Sequence, residues 1–155
     1  MQLRAADLTD LPALLDVQQS GAILALSHIF PQDRHPFPRA ELHQRWTAEI
    51  TGADVDAFVI EQAGTLAGFA ALRSDEFLHF GTAPATWGTG LAAAAHAALL
   101  PTFQARGVRT PRLHVFAANH RARRFYEKLG WQPTGRSRQT SFPPHPVLLE
   151  YNLTF

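Results

Sequence analysis

The chain has 155 residues, 46% of them hydrophobic and 10% aromatic, and a net charge of +1. That is enough apolar material for one core, so a single domain over residues 1–155 is expected; a nearly neutral chain without a basic run argues against a nucleic-acid partner. The absence of cysteine excludes disulfides and thiolate metal sites and fits a reducing, cytoplasmic setting, while no stretch is long and apolar enough to suggest a signal peptide or a membrane partner.

Leu3–Arg4 reads as a short edge strand. Asp7 or Thr9 can cap a helix running to about Gln19, with Leu11, Leu14, Leu15 and Gln18 spaced for one face. Ser27–Pro38 holds three prolines and no period, so it is a loop, and a second helix follows over Arg39–Ile50. Ala57–Gln62 and Leu66–Arg73, joined at Ala63-Gly64, form a hairpin; Glu76–Thr82 is a further strand, ended by Pro84. A helix opens near Gly88–Gly90 and runs towards Gln104. Pro101 should kink it or end it early, because proline has no N–H and clashes with the preceding turn. Arg109–Ala117 is a strand, Asn119–Leu129 a helix stopped by Gly130, and Trp131–Thr140 and Val147–Phe155 are closing strands. This order predicts an α/β domain of mixed α+β type, a mixed sheet carrying helices.

Charge is unevenly spread. Residues 1–76 hold eleven Asp/Glu against five Arg, a balance of −6; residues 77–155 hold two Asp/Glu against eight Arg and one Lys, a balance of +7. The asymmetry suits an anionic partner for the second half and a cationic one for the first, or two merely solvated surfaces. An anion site is suggested at Pro84–Ala93, between a strand and a helix, where Gly88 and Gly90 let backbone N–H groups turn outward at a helix start. A P-loop is excluded, for there is no Gly-Lys-Ser/Thr. Gly88-x-Gly90-x-x-Ala93 matches a dinucleotide fingerprint formally, but it follows a hairpin deep in the chain and lacks an acidic residue about twenty positions on. A plain strand-to-helix turn is the remaining local reading.

Two motifs together resemble the GNAT-type N-acetyltransferases. Trp87-Gly88-Thr89-Gly90-Leu91-Ala92 is similar to the family's Gln/Arg-x-x-Gly-x-Gly/Ala, with Trp87 in place of the polar residue. Asn119-His120-Arg121-Ala122-Arg123-Arg124-Phe125-Tyr126-Glu127-Lys128-Leu129-Gly130-Trp131 resembles Asn-x-x-Ala-x-x-x-Tyr-x-x-x-Gly-Phe. The resemblance implies a central, mostly antiparallel sheet splayed around acetyl-CoA, with helices on both faces. It implies that Gly88, Thr89, Gly90, Leu91, Ala92 and Ala93, with Trp87, form the pyrophosphate turn. Tyr126 would protonate the departing thiolate, and Asn119, locally a good N-cap, would contact the pantetheine arm. Arg121, Arg123, Arg124 and Lys128 share one helix; of these Arg124 is favoured for the 3′-phosphate.

Glu76–Thr82 lines up with the family's strand that opens at a bulge, its edge pairing with pantetheine. Gly81 agrees locally, since glycine inside a strand marks a bulge or a close backbone approach, so the backbone of Phe80, Gly81 and Thr82 is expected to hold the cofactor. An attacking ammonium must first lose a proton. Glu76 matches the family's general base, with His114 and His79 as rivals. The histidines show no metal spacing, so no metal is expected. By resemblance the acceptor site lies between the loop Gln18–Phe37 and the last hairpin, Gln139–Pro146, whose aromatics and histidines include His28, Phe30, His35, Phe37, Phe142 and His145. With the acidic first half they suit a cationic small-molecule amine more than a protein or peptide amine, and the absence of a cysteine to carry an acetyl group agrees with direct attack. A non-catalytic acyl-CoA sensor on the same fold is the rival reading, and the C-terminal hairpin could support a homodimer.

Overall fold

The computed structural model describes residues 1–155. Asp7 starts the first helical segment by accepting the Thr9 amide at 2.8 Å, while the Asp10 carboxylate accepts the Asp7 amide at 2.8 Å, a reciprocal cap. Arg4 donates to both oxygens of the nearly buried Asp10 at 2.7 and 2.9 Å, tying the cap to the first strand, β1 (Gln2–Ala5). A short 3₁₀ turn over Leu8–Asp10 then feeds helix α1 (Leu11–Leu26), seven residues beyond the expected end at Gln19. Gly21 costs a helix about 1 kcal/mol, but the helix formers from Ala22 to Leu26 outweigh it.

Helix α2 (Arg39–Thr51) precedes the strands β2 (Val55–Gln62), β3 (Thr65–Arg73) and β4 (Glu76–Thr82), then helix α3 (Leu91–Ala105), strand β5 (Arg112–Phe116), helix α4 (His120–Lys128) and strands β6 (Gln132–Gln139) and β7 (Val147–Asn152). Pro101 does not end α3: it removes one hydrogen bond, while Leu99 and Phe103, both buried, hold the last turn on the sheet. Strand β5 begins at Arg112 rather than Arg109, since Pro111 has no N–H to give a ladder.

The strands make one sheet in the order β1-β2-β3-β4-β5-β7-β6, antiparallel throughout except where β4 meets β5. Alternate residues of the strands feed two layers. Phe69 and Ala71 pack with Leu11, Leu14, Leu42 and Trp46 under α1 and α2. Ala70, Leu72, Phe77, Leu113 and Val115 pack with Leu99, Phe103, Tyr126 and Trp131 under α3 and α4. The mixed sheet with helices on both faces is as expected.

The parallel pair β4–β5 is joined at one position, Glu76↔Arg112, after which the strands part. The β4 bulge is not at Gly81. Ala71 faces His79 while Leu72 faces Phe77, so the extra residue is Leu78. Gly81 answers instead to a close approach: a Cβ there would lie 2.5 Å from Phe69 Cζ, and the buried Phe69 ring packs edge-on to Trp46 at 5.6 Å.

His96 of α3 is buried and accepts the Trp131 indole N–H at Nε2, 2.9 Å away, so its Nδ1 carries the proton of the neutral ring. Burial pulls this imidazole down to about 4, below the ~6.5 of an unfolded histidine.

Two outcomes follow. Gly81→Ala should lower stability by roughly 1–3 kcal/mol in urea denaturation, because Phe69 must be driven into a filled core. For His96 the unfolded chain takes up the proton first, so this residue withdraws stability as the pH falls from about 6.5 towards 4. Urea midpoints at pH 7 and 4.5 should therefore differ less in His96→Gln than in the parent chain.

Candidate active site

Beyond Glu76 the two central strands no longer share a ladder, so the facing backbone of β4 has no strand partner there. Phe80, Gly81 and Thr82 lie on this stretch. The Thr82 carbonyl accepts the Trp87 indole N–H at 3.1 Å, and Phe80 stacks on Phe125 of α4, centroids 6.1 Å apart. The chain then turns through Pro84–Thr86 to Gly88 and Gly90, whose φ of 80° and 89° are left-handed values that favour glycine. A Cβ at either would meet nothing within 4 Å, so the turn faces open space. The amides of Gly88, Gly90, Ala92 and Ala93 make no hydrogen bond within the chain, and that of Leu91 has only a 3.4 Å contact to Thr89 Oγ1. Open space and unspent amides at the start of a fifteen-residue helix fit a diphosphate. Leu91 contributes its amide alone, since its side chain is buried against Ile60 and Ala67.

Across the opening, Asn119 caps α4 by accepting the Ala122 amide at 3.2 Å, and Gly130 ends the helix at φ 98°. Tyr126 lies in the layer under α3 and α4, between Phe125 (5.3 Å) and Trp131 (6.1 Å). Its hydroxyl has no partner in the chain, and burial pushes the phenol well above its ordinary value, so it keeps its proton at neutral pH. Arg124, the residue favoured for phosphate, is exposed and pairs with nothing. It is Arg121 that reaches the glycine turn, its guanidinium 3.7 Å above the centre of the Trp87 ring.

Glu76 and His114, alternatives in the sequence, are one hydrogen-bonded pair on the opposite face of the sheet. His114 Nδ1 lies 2.9 Å from Glu76 Oε2, and an ionised carboxylate only accepts, so Nδ1 carries the proton. Arg73 donates to the other oxygen at 3.0 Å and Arg112 lies 3.8 Å away. Burial of Glu76, 3% exposed, would raise its pKa; hydrogen bonds from Arg73 and His114 and the nearby charges of Arg112 and His114 outweigh it and hold the carboxyl below its ordinary value. On the far side, His114 Nε2 faces Glu150 Oε2 at 3.9 Å, for β5 and β7 pair His114↔Glu150. Glu150 has no other ion partner. Its part in the row was missed in the sequence; only the strand register reveals it.

The third candidate base, His79, is drawn away. The bulge at Leu78 breaks the alternation that sets it across from Glu76, and its Nε2 sits 2.8 Å from Glu49 of α2 with the ring against Trp46. Of the acceptor residues, Phe30 packs edge-on to Phe116 at 5.4 Å and His28 Nε2 lies 2.8 Å from the Ala118 carbonyl, so the α1–α2 loop crosses the end of β5. Phe37 and Phe142 instead pack on the core layer under α1 and α2, Phe142 beneath the Arg45 guanidinium at 5.1 Å.

Residues 22–131, more than half of the chain, match the model of the acetyltransferase (GNAT) family, so this protein belongs to that family of acetyltransferases. No match is found among curated proteins. Its fold is similar to that of the PaiA N-acetyltransferase of Thermoplasma acidophilum in complex with coenzyme A (TM-score 0.73, 16% identity, 99% of this chain and 98% of that one). It is similar too to the ribosomal-protein-alanine N-acetyltransferase of Brucella melitensis (TM-score 0.72, 18%, 100% of both chains). A further likeness is to the spermidine N-acetyltransferase of Vibrio cholerae in complex with CoA and spermine (TM-score 0.71, 21%, 99% and 94%).

Substituting Glu76→Gln removes a charge that Arg73, Arg112 and His114 all address, and should cost roughly 1–3 kcal/mol at neutral pH. Because the folded carboxyl is the more acidic one, its stabilisation is present above the unfolded pKa and is lost as the pH falls through the folded value. The gap between parent and variant in urea midpoint should therefore narrow from pH 7 to pH 3.

Proposed function

We propose that this acetyltransferase moves an acetyl group from acetyl-CoA to a primary amine of a cationic small molecule, by direct attack, with His114 as the base and Tyr126 as the acid. Acetyl-CoA, when bound, supplies the acetyl thioester: the amine nitrogen bonds to the acetyl carbon, the carbon–sulfur bond breaks, and coenzyme A leaves as the thiol. The unpaired amides of Gly88, Gly90, Ala92 and Ala93 would hold the diphosphate, and the open edge of Phe80–Thr82 the pantetheine, with Asn119 beside it. His114 takes the proton that the ammonium must shed, at Nε2, the nitrogen left open by Glu76. Glu76 orients that ring and is itself a poor proton acceptor, since two arginines already engage its charge. Glu150 holds the incoming ammonium beside Nε2. Tyr126 gives its proton to the departing sulfur from the other face of the sheet.

The observation that carries this reading is the pairing of a buried, arginine-neutralised Glu76 with His114, on one face of an opening whose other face holds an unpartnered phenol. A small amine is favoured over a chain terminus because Phe30 and His28 pull the α1–α2 loop across the acceptor side. The Vibrio cholerae relative bound to spermine agrees with such a substrate.

The test is release of coenzyme A thiol over a panel of mono-, di- and polyamines. Tyr126→Phe and His114→Gln should each lower kcat on the order of 100-fold or more. If no amine elicits thiol release from the parent enzyme, the reading is wrong; if His114→Gln keeps the parent's rate, His114 is not the base.

A further inference from the structure

The glycine turn is poor in charge. From Ala83 to Ala105 there is neither lysine nor arginine, and position 87, a Gln/Arg slot in the pattern it resembles, is tryptophan. Backbone amides can cradle a diphosphate, but the several negative charges of coenzyme A call for a cation as well.

Helix α4 offers four. Arg123 is spent on the Tyr151 hydroxyl (2.9 Å) and the Ala117 carbonyl (2.9 Å). Arg124 is exposed and makes no hydrogen bond or ion pair, and Lys128 is at the far end of the helix, about 10 Å along its axis from Arg121. Arg121 alone is turned to the glycine turn, its guanidinium carbon 3.7 Å over the centre of the Trp87 ring, with no carboxylate partner. The platform beneath it is fixed: the Trp87 N–H is bonded to the Thr82 carbonyl, and its Cζ2 lies against Gly21 of α1, 3.9 Å from where a Cβ there would be. The stack thus joins the end of β4 to the start of α4, the two elements that flank the opening.

We propose that Arg121, held over the Trp87 ring, is the phosphate-binding cation that the turn itself lacks. Its N–H donors make no hydrogen bond or ion pair within the chain, so they stay free for phosphate oxygens. Trp87 then removes no contact from the site: it replaces a charged side chain at its own position with a platform that pre-orients one supplied by α4. Lysine cannot substitute fully, for an ammonium has no planar face or fork.

This inference rests on the acetyl-CoA reading, and one titration separates the two. Coenzyme A and pantetheine, which lacks the phosphates, are titrated calorimetrically into the parent chain and into Arg121→Gln, Arg121→Lys, Arg124→Gln and Trp87→Leu, each first checked by thermal melting. Arg121→Gln should weaken coenzyme A binding about tenfold or more and leave pantetheine unchanged. Arg121→Lys should fall between it and the parent, Arg124→Gln should match the parent, and Trp87→Leu should lose about two- to fivefold for coenzyme A. A parent chain that binds no coenzyme A at millimolar concentration overturns the acetyl-CoA reading and this inference with it. Parent-like coenzyme A binding by Arg121→Gln, or equal weakening for pantetheine, overturns the role of Arg121 alone.

Discussion

Two parallel strands that pair at one register position and then separate leave main-chain groups facing a gap, and such groups are costly to bury without partners. In this protein the separation starts at Glu76↔Arg112, and the junction is pinned by charge. Glu76 is buried there with Arg73, Arg112 and His114 gathered on its carboxylate. Remove that charge and the point at which the sheet opens loses its anchor, along with the orientation of the histidine beside it. The glycine turn, the cap of α4 and the phenol of Tyr126 are all placed relative to this opening.

The sheet also sorts the chemistry. Glu76, His114 and Glu150 lie in a row across three strands on the face covered by α1 and α2. Tyr126 lies in the layer on the opposite face. On the proposed reading, a base and an acid on opposite sides of one gap do not neutralise each other. The two faces also differ in environment: arginines keep Glu76 ionised, and an apolar layer keeps the Tyr126 phenol protonated.

Much of this was legible along the chain because it depends on near neighbours. The Asn119 cap with its amphipathic turn, the left-handed Gly88, Gly90 and Gly130, and the hairpin at Ala63-Gly64 are local devices, and each formed where its residues stand. The departures were non-local. The one-face spacing of Leu11, Leu14, Leu15 and Gln18 supports a helix only to about Gln19, whereas α1 continues to Leu26. Gly81 carried a glycine signal whose cause was the Phe69 ring of the neighbouring strand, while the bulge fell at Leu78, which carries no signal at all. That slip of one residue sent His79 to Glu49 instead of the opening. Among four basic residues on α4, nothing in their order separates Arg121 from Arg124; the position of Trp87 does.

By itself, then, the sequence determined the element order, the mixed sheet, the family and the two motifs that flank the opening, since periodicity, capping and turn chemistry act over a few residues. The tertiary structure alone decided that Glu76 and His114 are partners rather than rivals, that Glu150 joins them, and that Arg121 rests on Trp87. Those contacts bring together residues 34 to 38 positions apart. Strand register and helix docking select them, and neither is encoded in the spacing of the residues concerned.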